Sequence, residues 1–239
     1  MIRIRQVGLA GVRVALCAVI CVAFLGCGGS TATPASTASR PPSSKPDDPR
    51  PVSHRLRVVV LGDSLTAGLG LRSDQAYPVL LQQRIDAASL DYEVVNAGVS
   101  GDTTAGGLRR LDWALEGDVR VLVVALGGND GLRGLPIEEL RANLSAIIER
   151  TKAKGADVIL AGMEAPPNFG RSYIVSFHQV YPDLAKTYHV ALVPFLLNGV
   201  AGIESLNQRD GIHPTAAGAR IVADNVWAVL EPILRKKDR

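Results

Sequence analysis

The stretch Arg57-Val-Val-Val-Leu-Gly-Asp-Ser-Leu-Thr-Ala-Gly68 decides how the rest of the chain is read. Residues 58–61 form an unbroken apolar run that stops at Gly62. A run without alternation predicts a strand buried on both faces, the pattern of a parallel sheet. Gly62 is expected to let the backbone turn sharply as the strand ends. Ser64 then stands at the carboxyl edge of a sheet, where open α/β sheets place their ligands. Taken alone, a serine there caps the next helix. Its meaning depends on what else reaches the same edge.

Downstream, residues 77–88 have helical spacing, with Pro78 in a tolerated first-turn position. Residues 92–96 predict a second strand. After a Gly-rich loop, residues 108–115 predict a helix. Residues 119–126 are the clearest strand, broken by Gly127-Gly-Asn-Asp-Gly131. Residues 136–154 form an amphipathic helix, with Gly155 as its C-cap. Residues 158–161 and 190–193 predict the fourth and fifth strands. Between them lies a helix over 172–188 that Pro182 is expected to split. A long connection, 195–209, leads to a last helix over 215–234. Strand and helix thus alternate five times, which predicts a parallel sheet covered on both faces with right-handed crossovers. Five strands favour the order 2-1-3-4-5, in which strands one and three are neighbours. The loops carrying Ser64 and Asn129 would then face one crevice.

Composition narrows the function. The 239 residues carry a formal charge of +3. That excess lies in Arg3, Arg5 and Arg13, ahead of any acid, so the body is near neutral and points to no nucleic-acid partner. Cys17, Cys21 and Cys27 are the three cysteines, so residues 28–239 have neither an internal disulfide nor a thiolate metal site.

The arginines precede an apolar core over 14–25, about a dozen residues, too short for a membrane span but right for a signal sequence. Phe24-Leu25-Gly26-Cys27 follows and resembles the bacterial lipoprotein signal, although Phe24 is larger than usual there. The resemblance implies export to the cell envelope or periplasm, with Cys27 acylated as the membrane anchor. Residues 28–54 are a Pro-, Ser- and Thr-rich linker containing Pro34, Pro41, Pro42, Pro46, Pro49 and Pro51. His54 at its end is read as solvated. Residues 55–239 are the folded domain.

Four segments carry the chemistry: Gly62-Asp-Ser-Leu65, Asn96-Ala-Gly-Val-Ser-Gly-Asp-Thr103, Gly127-Gly-Asn-Asp130 and Asp210-Gly-Ile-His-Pro214. All fall at the carboxyl edge of the predicted sheet. Acyl transfer needs a nucleophile, a base, a group that orients the base, and donors for an oxyanion. Ser64 fits the first role and His213 the second. Asp210, three residues earlier with Gly211 between, can hold one imidazole tautomer. The backbone N–H of Ser64, the backbone N–H of Gly101 and the Asn129 side chain are the candidate donors. Gly101 lets a ligand approach the main chain. Asp63, Asp102 and Asp130 are read as loop braces. His178 and His189 are read as surface groups, and Asn143-Leu-Ser145 as a chance sugar-acceptor pattern within a helix. Phosphate-loop and metal motifs are absent from the sequence, so no cofactor and no metal is expected.

These four blocks resemble those of the SGNH (GDSL) hydrolases, and within them the bacterial arylesterase, acyl-CoA thioesterase and lysophospholipase group. The likeness continues through Ala165-Pro-Pro-Asn-Phe-Gly170 and Tyr181-Pro-Asp-Leu-Ala-Lys186 and spans about residues 56–235. It implies a three-layer α/β/α sandwich and a serine esterase acting on esters and thioesters. By resemblance, Ser64, Asp210 and His213 form the triad, and Ser64, Gly101 and Asn129 the oxyanion hole. Two other readings stand beside it: a carbohydrate O-acetylesterase, and a non-catalytic envelope binding lipoprotein.

Overall fold

The computed structural model describes residues 55–237. The signal sequence, Cys27, the linker and His54 lie outside the described residues. Val58, Val59, Val60 and Leu61 are each at most 1% exposed. Successive strand residues face opposite ways, so four consecutive buried side chains require cover on both faces. Their strand, β1 (Leu56–Gly62), lies inside the sheet. It pairs in parallel with β2 (Tyr92–Gly98) on one side and β3 (Val119–Ala125) on the other. Parallel β4 (Asp157–Ala161) and β5 (Ala191–Val193) complete the order β2-β1-β3-β4-β5. This is the order expected from the sequence.

The register places the site. Gly62 pairs with both Gly98 and Ala125, so β1, β2 and β3 end level. The loops leaving them therefore start side by side. Eight α-helices occur among the described residues. They are α1 (Ser64–Ala67), α2 (Tyr77–Ala87), α3 (Thr104–Arg109), α4 (Leu111–Ala114), α5 (Gly128–Leu132), α6 (Ile137–Ala153), α7 (Arg171–Tyr188) and α8 (Ala216–Lys237). One set, α2 on α8, is joined by Arg84 and Asp224 at 2.7 Å. In the other, α6 packs against both α3 and α7, with Arg141 and Asp183 linked at 2.9 Å. The apolar faces of α6 and α7, including Leu144, Ile148, Phe177 and Leu184, join the strand residues in one core.

Three local readings change. Pro182 does not split α7, which runs unbroken from Arg171 to Tyr188. Phe169, Tyr173, Phe177 and Tyr181 stack in succession at ring distances of 5.3, 6.1 and 5.8 Å. Buried Tyr181 also donates to the Leu126 carbonyl at 3.1 Å. That packing offsets the hydrogen bond a helix loses at proline. The helix expected over 108–115 is two short ones, parted at Arg110 (φ −103°). The first already starts at Thr104, because Gly106 and Gly107 fit against neighbours: a Cβ at either would overlap the Asp102 carboxylate or the Leu126 side chain. Gly62 likewise serves close packing. A Cβ there would overlap the Thr66 hydroxyl.

Candidate active site

Asp63, not Ser64, caps α1: its carboxylate accepts from the Leu65 N–H at 3.0 Å. Ser64 is the first helical residue, so its hydroxyl is left for another partner. His213 Nε2 lies 2.9 Å from Ser64 Oγ. On the far side of the ring, His213 Nδ1 lies 2.7 Å from Asp210 Oδ2. The three residues named from the sequence thus form one hydrogen-bonded chain across 149 positions of sequence.

The loop that carries the histidine folds on its own carboxylate. Gly211 has φ +71°, a left-handed position that suits glycine. The turn lets Asp210 Oδ1 accept from the N–H of Ile212 at 2.9 Å and of His213 at 3.0 Å. These backbone donors, and then the imidazole, hold the Asp210 carboxyl down at about 2. Asp210 is an oriented anion well into acid. A neutral imidazole that donates a hydrogen bond from its Nδ1–H to that anion presents a bare Nε2 to the Ser64 hydroxyl. That is the arrangement of a base and a nucleophile.

The candidate donors lie on the level strand ends. The Val99 N–H donates to the Gly62 carbonyl at 3.0 Å, pinning the loop after β2 beside Ser64. Gly101 in that loop has φ +83°. A Cβ on it would meet only the Arg133 guanidinium at 3.9 Å, so backbone conformation, not crowding, calls for glycine. Among the described residues, neither the Ser64 N–H nor the Gly101 N–H has a hydrogen-bond partner. Among the described residues, Gly101 and Ser64 share no hydrogen bond. The Asn129 amide, in the first turn of α5, donates to the Asp102 carbonyl at 2.9 Å and more loosely to Asp63 Oδ2 at 3.3 Å. Asn129 and Ser64 line the same cleft.

The three aspartates read as braces take that role. Asp130 accepts from the Thr104 N–H at 2.9 Å and hydroxyl at 2.6 Å. Asn143 donates to that same Thr104 hydroxyl at 3.1 Å, which commits the chance sugar-acceptor side chain to packing. Asp63 is 2% exposed, and burial pushes its carboxyl up to about 6 against the pull of Leu65, His213 and Asn129. The sign follows: Asp63 favours folding most below about pH 4, its unfolded range, and loses that contribution as pH rises through about 6. Asparagine keeps a capping oxygen without a charge. Asp63→Asn should therefore gain roughly 3 kcal/mol relative to wild type between about pH 4 and pH 8, read from denaturant melts at each pH. A pH-independent difference would show that Asp63 titrates normally.

Two positioning residues escaped the sequence reading. Arg110 donates to Asp102 at 2.6 Å, to the Ala97 carbonyl at 2.6 Å and to the Gly62 carbonyl at 2.7 Å. One guanidinium thereby ties the ends of β1 and β2 to the loop that carries Gly101 and Asp102. Arg110→Ala should cost about 3 kcal/mol of stability, because it strands a carboxylate and two carbonyls. An unchanged melting midpoint would contradict that. Gln208 ties the other side. Its N–H donates to the His213 carbonyl at 2.7 Å, and its amide reaches the Leu69 carbonyl at 2.8 Å and the Pro214 carbonyl at 2.9 Å. It holds the histidine loop onto the serine loop. Gln208→Ala should lower kcat roughly 10- to 100-fold with KM little changed, since a small misplacement of a base is costly. No sequence signal marks either residue; an arginine and a glutamine in loops are ordinary.

The cleft beside Ser64 and His213 has a volume of about 340 Å³. Its walls are mainly apolar, among them Leu65, Leu132, Met163, Pro166 and Phe195. His178 stays off the triad and pairs with Glu164 at 2.6 Å. His189 ends α7 in a left-handed conformation, φ +51°.

A histidine held by a carboxylate and aimed at a strand-end serine, on a sheet of this order, defines an α/β/α serine esterase. The chain belongs to the GDSL-like lipase/acylhydrolase family, whose model matches residues 60–221. It is 46% identical over 178 residues to esterase TesA of Pseudomonas aeruginosa, covering 74% of this chain and 89% of that protein. It is 38% identical over 178 residues to thioesterase 1/protease 1/lysophospholipase L1 of Escherichia coli K12, covering 74% of this chain and 84% of that protein. The crystal structure of TesA superposes with a TM-score of 0.72 at 46% identity, covering 74% of this chain and 99% of that one.

Proposed function

We propose that Ser64 is the nucleophile of this esterase, with His213 as its base and Asp210 as the group that orients the base. The observation that carries the reading is the unbroken Asp210–His213–Ser64 chain, at 2.7 and 2.9 Å, opening on an apolar cleft. Ser64 Oγ attacks the ester carbonyl while its proton passes to His213 Nε2. The oxyanion is held by the N–H groups of Ser64 and Gly101 and by the Asn129 amide. His213 then protonates the departing alcohol or thiol, leaving an acyl-enzyme. Water attacks that ester, again giving its proton to His213, and the acid leaves as Ser64 is restored.

The apolar walls suit an acyl chain better than a sugar, whose hydroxyls need polar partners when desolvated. Together with the names of the relatives, this favours acyl esters, thioesters and lysophospholipids over acetylated carbohydrate. The test compares p-nitrophenyl octanoate with p-nitrophenyl acetate, with Ser64→Ala as control. Octanoate should be turned over faster, and both activities should vanish in the variant. A strong acetate preference would favour the carbohydrate esterase; activity that survives in Ser64→Ala would remove Ser64 from the mechanism.

The amino-terminal sequence supports export and anchoring through acylated Cys27. Cys27→Ala should release the protein from the membrane fraction. Retention of the variant there would exclude acylation at Cys27 as the anchor.

A further inference from the structure

Glu164 stands out in the cleft wall. Among the described residues that line the cleft there is no lysine or arginine, and the two carboxylates are Asp63 and Glu164. Asp63 is sunk beneath the surface and engaged by Leu65 and Asn129. Glu164 is different: its side chain is 36% exposed, and only Oε1 is engaged, by His178. Glu164 Oε2 has no hydrogen-bond partner among the described residues.

An aromatic ring is close by in the fold. Ala161 at the end of β4 pairs with Val193 of β5, and the Leu196 N–H donates to the Gly162 carbonyl at 2.9 Å. The segments leaving the two strands therefore run side by side, carrying Glu164 and Phe195 to the same cleft. A carboxylate and an aromatic side chain lining one cleft of mainly apolar walls offer the chemistry that recognises an alkylammonium group. The exposed contact between Glu164 and His178 adds little to stability. What the carboxylate changes is the charge of the wall that a substrate meets.

We propose that Glu164 is a specificity-determining residue that makes the cleft prefer esters bearing a compact ammonium or quaternary ammonium group over their neutral isosteres. The proposal rests on the serine esterase reading above. The cation can sit on the alcohol or on the acyl part of the ester, and the experiment separates the two. In the alcohol arm, kcat/KM is measured for choline butyrate and for its isostere with tert-butyl in place of trimethylammonium. In the acyl arm, the same exchange is made at the chain end of a p-nitrophenyl ester.

Wild type should prefer the cationic ester about fivefold or more in one arm, and that arm identifies the part of the ester that occupies the cleft. Glu164→Gln should bring the ratio close to one. Glu164→Asp, which keeps the charge, should retain most of the preference. Ratios that are the same in wild type and Glu164→Gln in both arms would overturn the proposal. Failure of wild type to hydrolyse any of the four esters is a separate result. It would remove the esterase reading and the selectivity with it.

Discussion

His213→Ala is expected to lower kcat on p-nitrophenyl octanoate by about a million-fold, the scale of loss when the base of a serine triad is removed. The reason lies in the geometry. A neutral hydroxyl is a weak nucleophile, and the group bonded to Ser64 Oγ that could take its proton is His213 Nε2 at 2.9 Å. Asp210 bonds to the opposite ring nitrogen, so it acts on Ser64 only through the imidazole. Ser64→Ala should fall as far. The double variant should fall no further, because the two residues act as one unit. KM should stay close to wild type, since the apolar walls are untouched. Losses that multiply in the double variant would show two independent contributions and contradict the relay.

Asn129→Ala is expected to lower kcat about 100- to 1,000-fold, the usual loss for one oxyanion donor, again with little change in KM. The Asn129 amide keeps one proton on the Asp102 carbonyl at 2.9 Å. Its bond to Asp63 is the longer, at 3.3 Å, and is the one an oxyanion would displace. The alternative is that Asn129 merely braces two loops. In that case the melting midpoint would fall and turnover would stay near normal. Steady-state kinetics and a melt on the same sample separate the two.

Much of this was legible in the residues because strong local signals agree. The apolar run at 58–61 specified a two-faced strand, and the five-fold alternation specified the sheet order that sets Ser64 beside Asn129. Asp210, Gly211 and His213 were legible because a carboxylate, a turn glycine and an imidazole within four residues have few other uses. What escaped depends on contacts between distant segments. Pro182 argued locally for a break, and packing of Tyr181 and its aromatic neighbours overrode it. Gly106 and Gly107 hid a helix start because their role is close approach, not turning. Ser64 looked like a cap, yet the neighbouring Asp63 caps and frees its hydroxyl. Arg110 and Gln208 carry no local pattern. Their weight comes from the carbonyls they reach, 48 and 139 positions away in the most distant cases.

The most direct measurement is peptide mapping after exposure to a fluorophosphonate, which captures an activated serine by forming a stable phosphonyl ester. Wild type should carry a single adduct, on the peptide containing Ser64, and lose activity in proportion to labelling. His213→Ala should remain folded and essentially unlabelled over the same time. An adduct on another residue, or full loss of Ser64 labelling with esterase activity intact, would contradict the account.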